Sequence, residues 1–175
     1  ERRDRGVLPL RRAPRLPPGA VSARCAGAPM RLFSYGTLML GEVMELVAGR
    51  SFKSCPGMLA GFQRRRLRGE VYPAIVPAAA ARALGVLWQD LDRAALARID
   101  RFEGALYERQ QQPVQVADGE FRSAFVYVLR PEQHGLLLES DWDEAEFRAA
   151  HLCAYLATCR AFSREQGGAS GAPRA

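Results

Sequence analysis

Hydrophobic residues in the middle of the chain come in short runs separated by turn residues, a pattern typical of β-strands. The run MRLFSY, which begins at Met30, predicts the first strand. Residues 56–77 predict two more, whose prolines and glycines indicate bulges or irregular edges, and residues 83–91 predict another. The dipeptide Asp118-Gly119 lies between two strand-like runs, which predicts a β-hairpin.

Three other segments have the apolar spacing of helices. A short helix is predicted at 41–49, and a second follows Asp92, which is suited to cap it, and closes at Gly104. A long amphipathic helix is predicted at 141–162. Its expected core face consists of Trp142, Phe147, Leu152, Tyr155 and Leu156. The combined pattern predicts an α+β fold, with a compact, mixed, barrel-like β-sheet and a few flanking helices.

The chain divides into a leader, one domain and a tail. Residues 1–29 hold seven arginines, five prolines and two acidic residues, without a sustained apolar period, so we expect a disordered basic leader. Residues 30–163 are long enough to form one domain with its own core, and Met30 is the preferred natural start. Residues 164–175 are rich in glycine and are expected to form a flexible tail.

The net charge of +6 arises almost entirely in the leader, since the rest of the chain carries 18 basic and 17 acidic residues. Basic and aromatic residues do not interleave in the leader, so nucleic-acid binding is the least favoured alternative and no nucleic-acid partner is expected. No apolar run approaches the roughly 18 residues of a membrane span. We expect a monomeric, cytoplasmic protein without a membrane partner.

Familiar catalytic and metal-binding motifs are absent from the sequence. The cysteines and histidines, which show no C-x-x-C spacing, are Cys25, Cys55, Cys153, Cys159, His134 and His151. This spacing predicts no metal site and favours reduced cysteines in a cytosolic setting. Neither histidine has an obvious serine partner, and the sequence contains no G-x-S-x-G, Walker or G-x-G-x-x-G motif.

A basic cluster is formed by Arg64, Arg65, Arg66 and Arg68. Such a cluster could bind phosphate. Alternating arginines along a strand are more often a solvated face or a guard at a sheet edge, and this second interpretation is favoured.

Glu103 is the first candidate for chemistry. It lies at the C-terminal end of the predicted helix, where the helix dipole disfavours a carboxylate, and it is flanked by Phe102 and Gly104. Such surroundings raise the pKa of a carboxyl group and suit a general base. The alternative is an exposed glutamate that pairs with Arg101 or Arg109.

The segment RLFSYGTLML, from Arg31 to Leu40, is the second candidate. Its apolar run is interrupted by Tyr35-Gly36-Thr37 and then resumes. A glycine after a buried strand can turn successive backbone N–H groups outward and form a nest for a carboxylate or an oxyanion. The alternative is an ordinary turn at a strand end.

Five motifs in order carry a family resemblance: LFSYGTL, MLAGF, YPAIVP, ALGVLWQDL and IDRFEGALYERQ. Over about residues 30–162 the chain resembles the gamma-glutamylcyclotransferase-like family, in particular its avirulence-induced-gene-like branch with a Y-G-T-L motif. The resemblance implies cleavage of a small gamma-glutamyl substrate into 5-oxoproline and an amine or amino acid, as a transferase or lyase, without a cofactor or metal.

The resemblance also assigns roles to residues. It implies that the turn Tyr35, Gly36, Thr37 and Leu38 cradles the gamma-glutamyl group, that Glu103 accepts the proton, and that Tyr107 supports the site. Ser34 occupies a position that is often apolar in relatives. The substrate's own α-amine can close a five-membered ring on its γ-carbonyl, so the protein needs no nucleophile of its own. The alternative is a non-catalytic binding protein that uses the same pocket.

Overall fold

The computed structural model describes residues 30–168. These residues form five strands and four α-helices, joined by short 3₁₀ turns. The strands are β1 (Met30–Ser34), β2 (Ser54–Arg66), β3 (Pro73–Leu91), β4 (Tyr107–Val116) and β5 (Phe121–Leu129). The helices are α1 (Gly41–Ala48), α2 (Arg93–Glu103), α3 (Glu144–Ala150) and α4 (Leu152–Gly168).

The strands close into a barrel in the order β1-β3-β2-β4-β5. Neighbouring strands are antiparallel except at the closure, where β1 runs parallel to β5 with Leu32 beside Phe125. The hairpin between β4 and β5 turns at Asp118-Gly119 as predicted. The predicted α+β fold with a barrel-like sheet is therefore confirmed.

Alternation along β1 divides the core in two, because successive side chains of a strand point to opposite faces. Phe33 and Tyr35 belong to a cluster built from the strands and the residue after β1, which fills the barrel. Leu32 belongs to a larger cluster that joins the outer face of the barrel to the helices. The chain segment that follows β1 thus lies where the cluster inside the barrel meets the cluster between the barrel and the helices.

Residues 73–91 form one strand instead of the two predicted. This strand carries the irregularity, because the register of β2 against β3 shifts between Ala60 and Phe62, where the single residue Gly61 lies opposite residues 78–81 of β3. Pro77, taken from the sequence as the end of a strand, lies inside β3 opposite Phe62. A proline is tolerated beside such a bulge because the ladder is already interrupted there.

The single helix predicted at 141–162 is two helices that meet at His151. The break lets Phe147 of α3 and Tyr155 of α4 pack edge to face, with ring centroids 5.3 Å apart. Helix α4 also continues to Gly168, so the predicted tail is helical from Arg164 to Gly168.

The predictions for the leader, residues 1–29, and for residues 169–175 lie outside the described residues. Within the described part, no helix has both the length and the hydrophobicity required to cross a membrane.

Helix α2 begins with the cap predicted from the sequence. The Asp92 side chain accepts a hydrogen bond from the Ala95 N–H at 2.7 Å. We expect Asp92→Ala to lower the free energy of unfolding by about 1 kcal/mol in urea titrations. Asp92→Asn is the control, because it keeps a capping oxygen and loses only the exposed ion pair with Arg50. Equal losses in both variants would contradict the capping role.

Candidate active site

A cavity of about 220 Å³ opens between the end of β1, the end of α2 and helix α4. Its wall contains all six residues singled out from the sequence: Tyr35, Gly36, Thr37, Leu38, Glu103 and Tyr107. Cavities that hold drug-sized ligands span roughly 300–1,000 Å³, so this one suits a smaller metabolite.

Gly36 is a glycine because of a close approach to Pro73. A Cβ at this position would lie 2.6 Å from Cγ and 2.7 Å from Cδ of the proline ring. The φ angle of Gly36 is −134°, so the requirement is for space and not for a left-handed backbone. Pro73 is itself held in place, since the Tyr107 hydroxyl donates to its carbonyl at 2.9 Å. Tyr107 thus holds Pro73, and the Pro73 ring packs against the turn at Gly36.

The four carbonyl groups of the turn all accept hydrogen bonds. The donors to Tyr35, Gly36, Thr37 and Leu38, in that order, are Arg64 Nη1 (3.0 Å), Met39 N (2.8 Å), Leu40 N (3.2 Å) and Trp88 Nε1 (3.0 Å). By contrast, the N–H groups of Gly36, Thr37 and Leu38 have no acceptor among residues 30–168. Successive N–H groups without an acceptor, in residues that line a cavity, are an arrangement suited to negatively charged oxygen atoms.

The side chains of the turn are engaged in packing. The Tyr35 hydroxyl donates to the Tyr127 carbonyl at 2.6 Å, and Thr37 Oγ1 shares a hydrogen bond of 3.0 Å with the Tyr155 hydroxyl. Leu38 is buried. The backbone of the turn, with these side chains fixed, is therefore the part that is free to meet a ligand.

Glu103 is the last residue of α2 and is partly buried in the cavity wall. Burial, and then the negative charge of Asp100, raises the pKa of the Glu103 carboxyl to about 8. The alternative of an exposed glutamate paired with Arg101 or Arg109 is wrong, because Glu103 has no ion pair within residues 30–168 and Arg109 binds Asp100 at 2.7 Å. A carboxyl with a pKa near neutrality is suited to accept and return a proton.

Other residues of the wall were missed by the sequence analysis, among them Tyr72, Tyr127, Tyr155 and Thr158. Burial raises the pKa of each of the three tyrosine hydroxyls above its ordinary value, so all three remain neutral hydroxyl groups. The predicted core position of Tyr155 is confirmed, since it packs against the core, and the same side chain also lines the cavity. Apolar spacing along a helix does not distinguish a packed core from a cavity wall. No signal in the sequence separates a core position from a cavity-wall position on this helix.

The described residues contain no cluster of three or more His, Cys, Asp or Glu side chains that could hold a metal ion. Arg64 and Arg66 of the basic cluster form ion pairs with Asp141 and Glu146. The end of β2 that carries them is covered by the chain near Ser140, whose carbonyl accepts from the Arg66 N–H at 3.0 Å. These arginines therefore bind a neighbouring segment of the protein and do not guard an open sheet edge.

The fold and the cavity together define a small barrel protein in which one carboxyl group shares a cavity with three backbone N–H groups that have no acceptor among residues 30–168. The family model described as "Gamma-glutamyl cyclotransferase, AIG2-like" matches residues 32–144, and the chain belongs to this family. The family resemblance seen in the sequence is confirmed.

Relatives from Arabidopsis thaliana agree with this assignment. AIG2-like protein C is 31% identical over 122 residues, which cover 67% of this chain and 68% of that protein. AIG2-like protein D is 28% identical over 138 residues, which cover 77% of this chain and 89% of that protein. A solution structure of another Arabidopsis protein matches with a TM-score of 0.58 and 26% identity, covering 80% of this chain and 85% of that one.

Proposed function

We propose that this protein is a gamma-glutamyl cyclotransferase that converts a small gamma-glutamyl substrate into 5-oxoproline and a free amine or amino acid. The observation that carries the proposal is the juxtaposition of Glu103, with its raised pKa, and three unpaired N–H donors in the wall of one cavity. Membership of the gamma-glutamyl cyclotransferase, AIG2-like family supports the same reaction.

The three N–H donors of the turn, called the cradle below, bind the substrate and stabilise its negative charge. The N–H groups of Gly36, Thr37 and Leu38 suit the two groups of the reaction that carry negative oxygen, namely the substrate's α-carboxylate and the oxyanion formed at its γ-carbonyl. The donors are fixed before the substrate arrives, because the carbonyls on the same segment are already bonded. Donors fixed in this way need little rearrangement during the reaction.

Glu103 supplies the proton transfer. Its carboxylate takes a proton from the substrate's α-ammonium group, and the resulting amine attacks the γ-carbonyl to give a tetrahedral intermediate. The C–N bond to the leaving amine then breaks as the Glu103 carboxylic acid returns the proton to that nitrogen. The ring nitrogen gives its remaining extra proton to the released amine, which leaves as an ammonium ion, so that a neutral lactam N–H results and the Glu103 carboxylate is regenerated. Holding the glutamyl chain in a folded conformation makes the attack intramolecular, which removes much of the entropic barrier.

The pH dependence of catalysis follows from the pKa of Glu103. The carboxylate is the active form, so kcat/KM should rise with pH as Glu103 loses its proton, with an apparent pKa of about 8. The charge of Asp100 raises this pKa, so Asp100→Asn should move the rising limb to lower pH. The substrate's own pKa is the same with both enzymes, so the shift reports the protein carboxyl.

The control for the pH profile is Asp118→Asn, which removes a surface carboxylate paired with Arg122 in the hairpin. The rising limb of kcat/KM against pH for Asp118→Asn should coincide with that of the wild type. A rising limb that is the same in all three proteins would contradict the assignment of Glu103 as the titrating base.

The function itself is tested with a panel of gamma-glutamyl amines and gamma-glutamyl amino acids. Equimolar release of 5-oxoproline and the free amine from at least one substrate is the expected result. Binding of 5-oxoproline without turnover of any substrate would overturn the proposed enzymatic activity. It would support the alternative from the sequence, a non-catalytic binding protein that uses the same pocket.

A further inference from the structure

Arg64 contacts the candidate active site from outside the cavity. Its Nη1 donates to the Tyr35 carbonyl at 3.0 Å, yet Arg64 is not part of the cavity wall, whereas Tyr35 and Gly36 are. The same guanidinium binds both carboxylate oxygens of Asp141, with Nε at 2.8 Å and Nη2 at 3.2 Å. Arg64 therefore ties the turn to the segment that precedes α3.

The orientation of the Tyr35–Gly36 peptide follows from this contact. In a planar trans peptide the C=O and N–H bonds point in opposite directions. The Tyr35 oxygen points to Arg64, which is not part of the cavity wall, so the Gly36 N–H points away from Arg64. Arg64 thus determines which side of this peptide faces the ligand.

This peptide needs an external restraint because of the residue that follows it. Gly36 has no Cβ, so its backbone has more accessible conformations than any other residue's would. Rotation of the peptide would exchange the positions of the carbonyl oxygen and the N–H donor in a wall that Glu103 also lines. The side chain of Arg64 is well placed to prevent this, since it is only 19% exposed and is held on its other side by Asp141.

We propose that Arg64 is a positioning residue that clamps the Tyr35–Gly36 peptide so that the Gly36 N–H faces the cavity. The inference rests on the proposed function of that cavity. It also assigns a role to the first member of the arginine cluster: Arg64 organises a site for anions without touching the anion itself.

Arg66 provides a matched control on the same strand. Two residues further along β2, it pairs with Glu146 at 3.2 Å and makes no hydrogen bond to the turn. Arg64→Met and Arg66→Met each remove one guanidinium and one ion pair, and they keep a long apolar side chain, which in the Arg64 variant can still pack on the Trp142 ring that the guanidinium covers at 5.4 Å. A purely structural role for Arg64 would make the two variants equivalent.

The test compares steady-state kinetics, 5-oxoproline binding and the backbone amide resonance of Gly36 in the free protein. Loss of one charged hydrogen bond predicts that Arg64→Met lowers kcat/KM and weakens 5-oxoproline binding by about 10- to 100-fold. Its Gly36 amide should shift, whereas Arg66→Met should match the wild type in all three measurements. Arg64→Lys keeps the charge and one donor, so it should recover part of the loss.

Equal kcat/KM and an unchanged Gly36 amide in Arg64→Met and Arg66→Met would overturn the inference. If Arg64→Met does not fold, the lysine variant decides in its place, because a wild-type Gly36 amide and wild-type kinetics would then exclude the clamp. A wild-type protein without turnover would count against the proposed function alone. The amide resonance would still decide whether Arg64 orients the peptide.

Discussion

Replacing Glu103 by glutamine is expected to lower the rate of 5-oxoproline release by about 10²- to 10⁴-fold, the usual contribution of a general acid–base group. The amide has nearly the same shape as the carboxyl group but cannot accept the proton of the α-ammonium group. The pKa of about 8 places the wild-type carboxyl in the range where it can both take up and return that proton. The measurement is kcat on the best substrate of the panel.

The fold should survive this substitution, because Glu103 makes no ion pair within residues 30–168 whose loss would destabilise the domain. We expect the thermal unfolding midpoint to change by no more than a few degrees. Glu108→Gln is the matched control, since it makes the same exchange at an exposed position on β4 and should retain wild-type activity. Near-normal turnover by Glu103→Gln would contradict its role as the proton acceptor.

Gly36→Ala is expected to lower kcat/KM by about 10²-fold, the effect of a misplacement on the order of 1 Å at a catalytic site. The new Cβ would lie 2.6 Å from the Pro73 ring, and this ring cannot rotate away as a flexible side chain could. Its carbonyl is also bound to Tyr107. The turn must therefore shift, and its three N–H donors shift with it.

Folding should suffer less than catalysis from this change, because overpacking by one methyl group costs roughly 1–3 kcal/mol. Gly41→Ala is the control, since a Cβ at Gly41, at the start of α1, meets no atom within 4 Å. Kinetics and urea unfolding are measured on both variants. Unchanged 5-oxoproline binding in folded Gly36→Ala would show that the turn does not form the cradle.

The local elements of this fold could be predicted because each depends on neighbouring residues. Asp92 caps α2 and Asp118-Gly119 turns the last hairpin, and both are local signals. The continuity of β3 could not be predicted, since Pro77 breaks an isolated strand but lies beside a bulge at residues 78–81 of β3 in the folded barrel. The break at His151 also depends on tertiary packing, because it brings Phe147 and Tyr155 together.

The candidate site was predicted only in part, because local signals can be read from neighbouring residues whereas contacts between distant segments cannot. The position of Glu103 at a helix end suggested a raised pKa, and burial in the cavity wall agrees with that suggestion. Gly36 was singled out for a turn that presents its backbone N–H groups, but its close approach to Pro73 was not predicted, because Pro73 is 37 positions away in the chain and no local pattern identifies it. The contacts of Arg64 with Tyr35 and Asp141 likewise depend on how distant segments pack.

In the proposed reaction the substrate's own amine, and not water, displaces the leaving amine from the γ-carbonyl. The most direct test is turnover in ¹⁸O-labelled water with mass analysis of both products. We expect unlabelled 5-oxoproline and an equimolar amount of free amine, because no water oxygen enters the lactam. Release of ¹⁸O-labelled glutamate would show hydrolysis and would contradict the cyclisation.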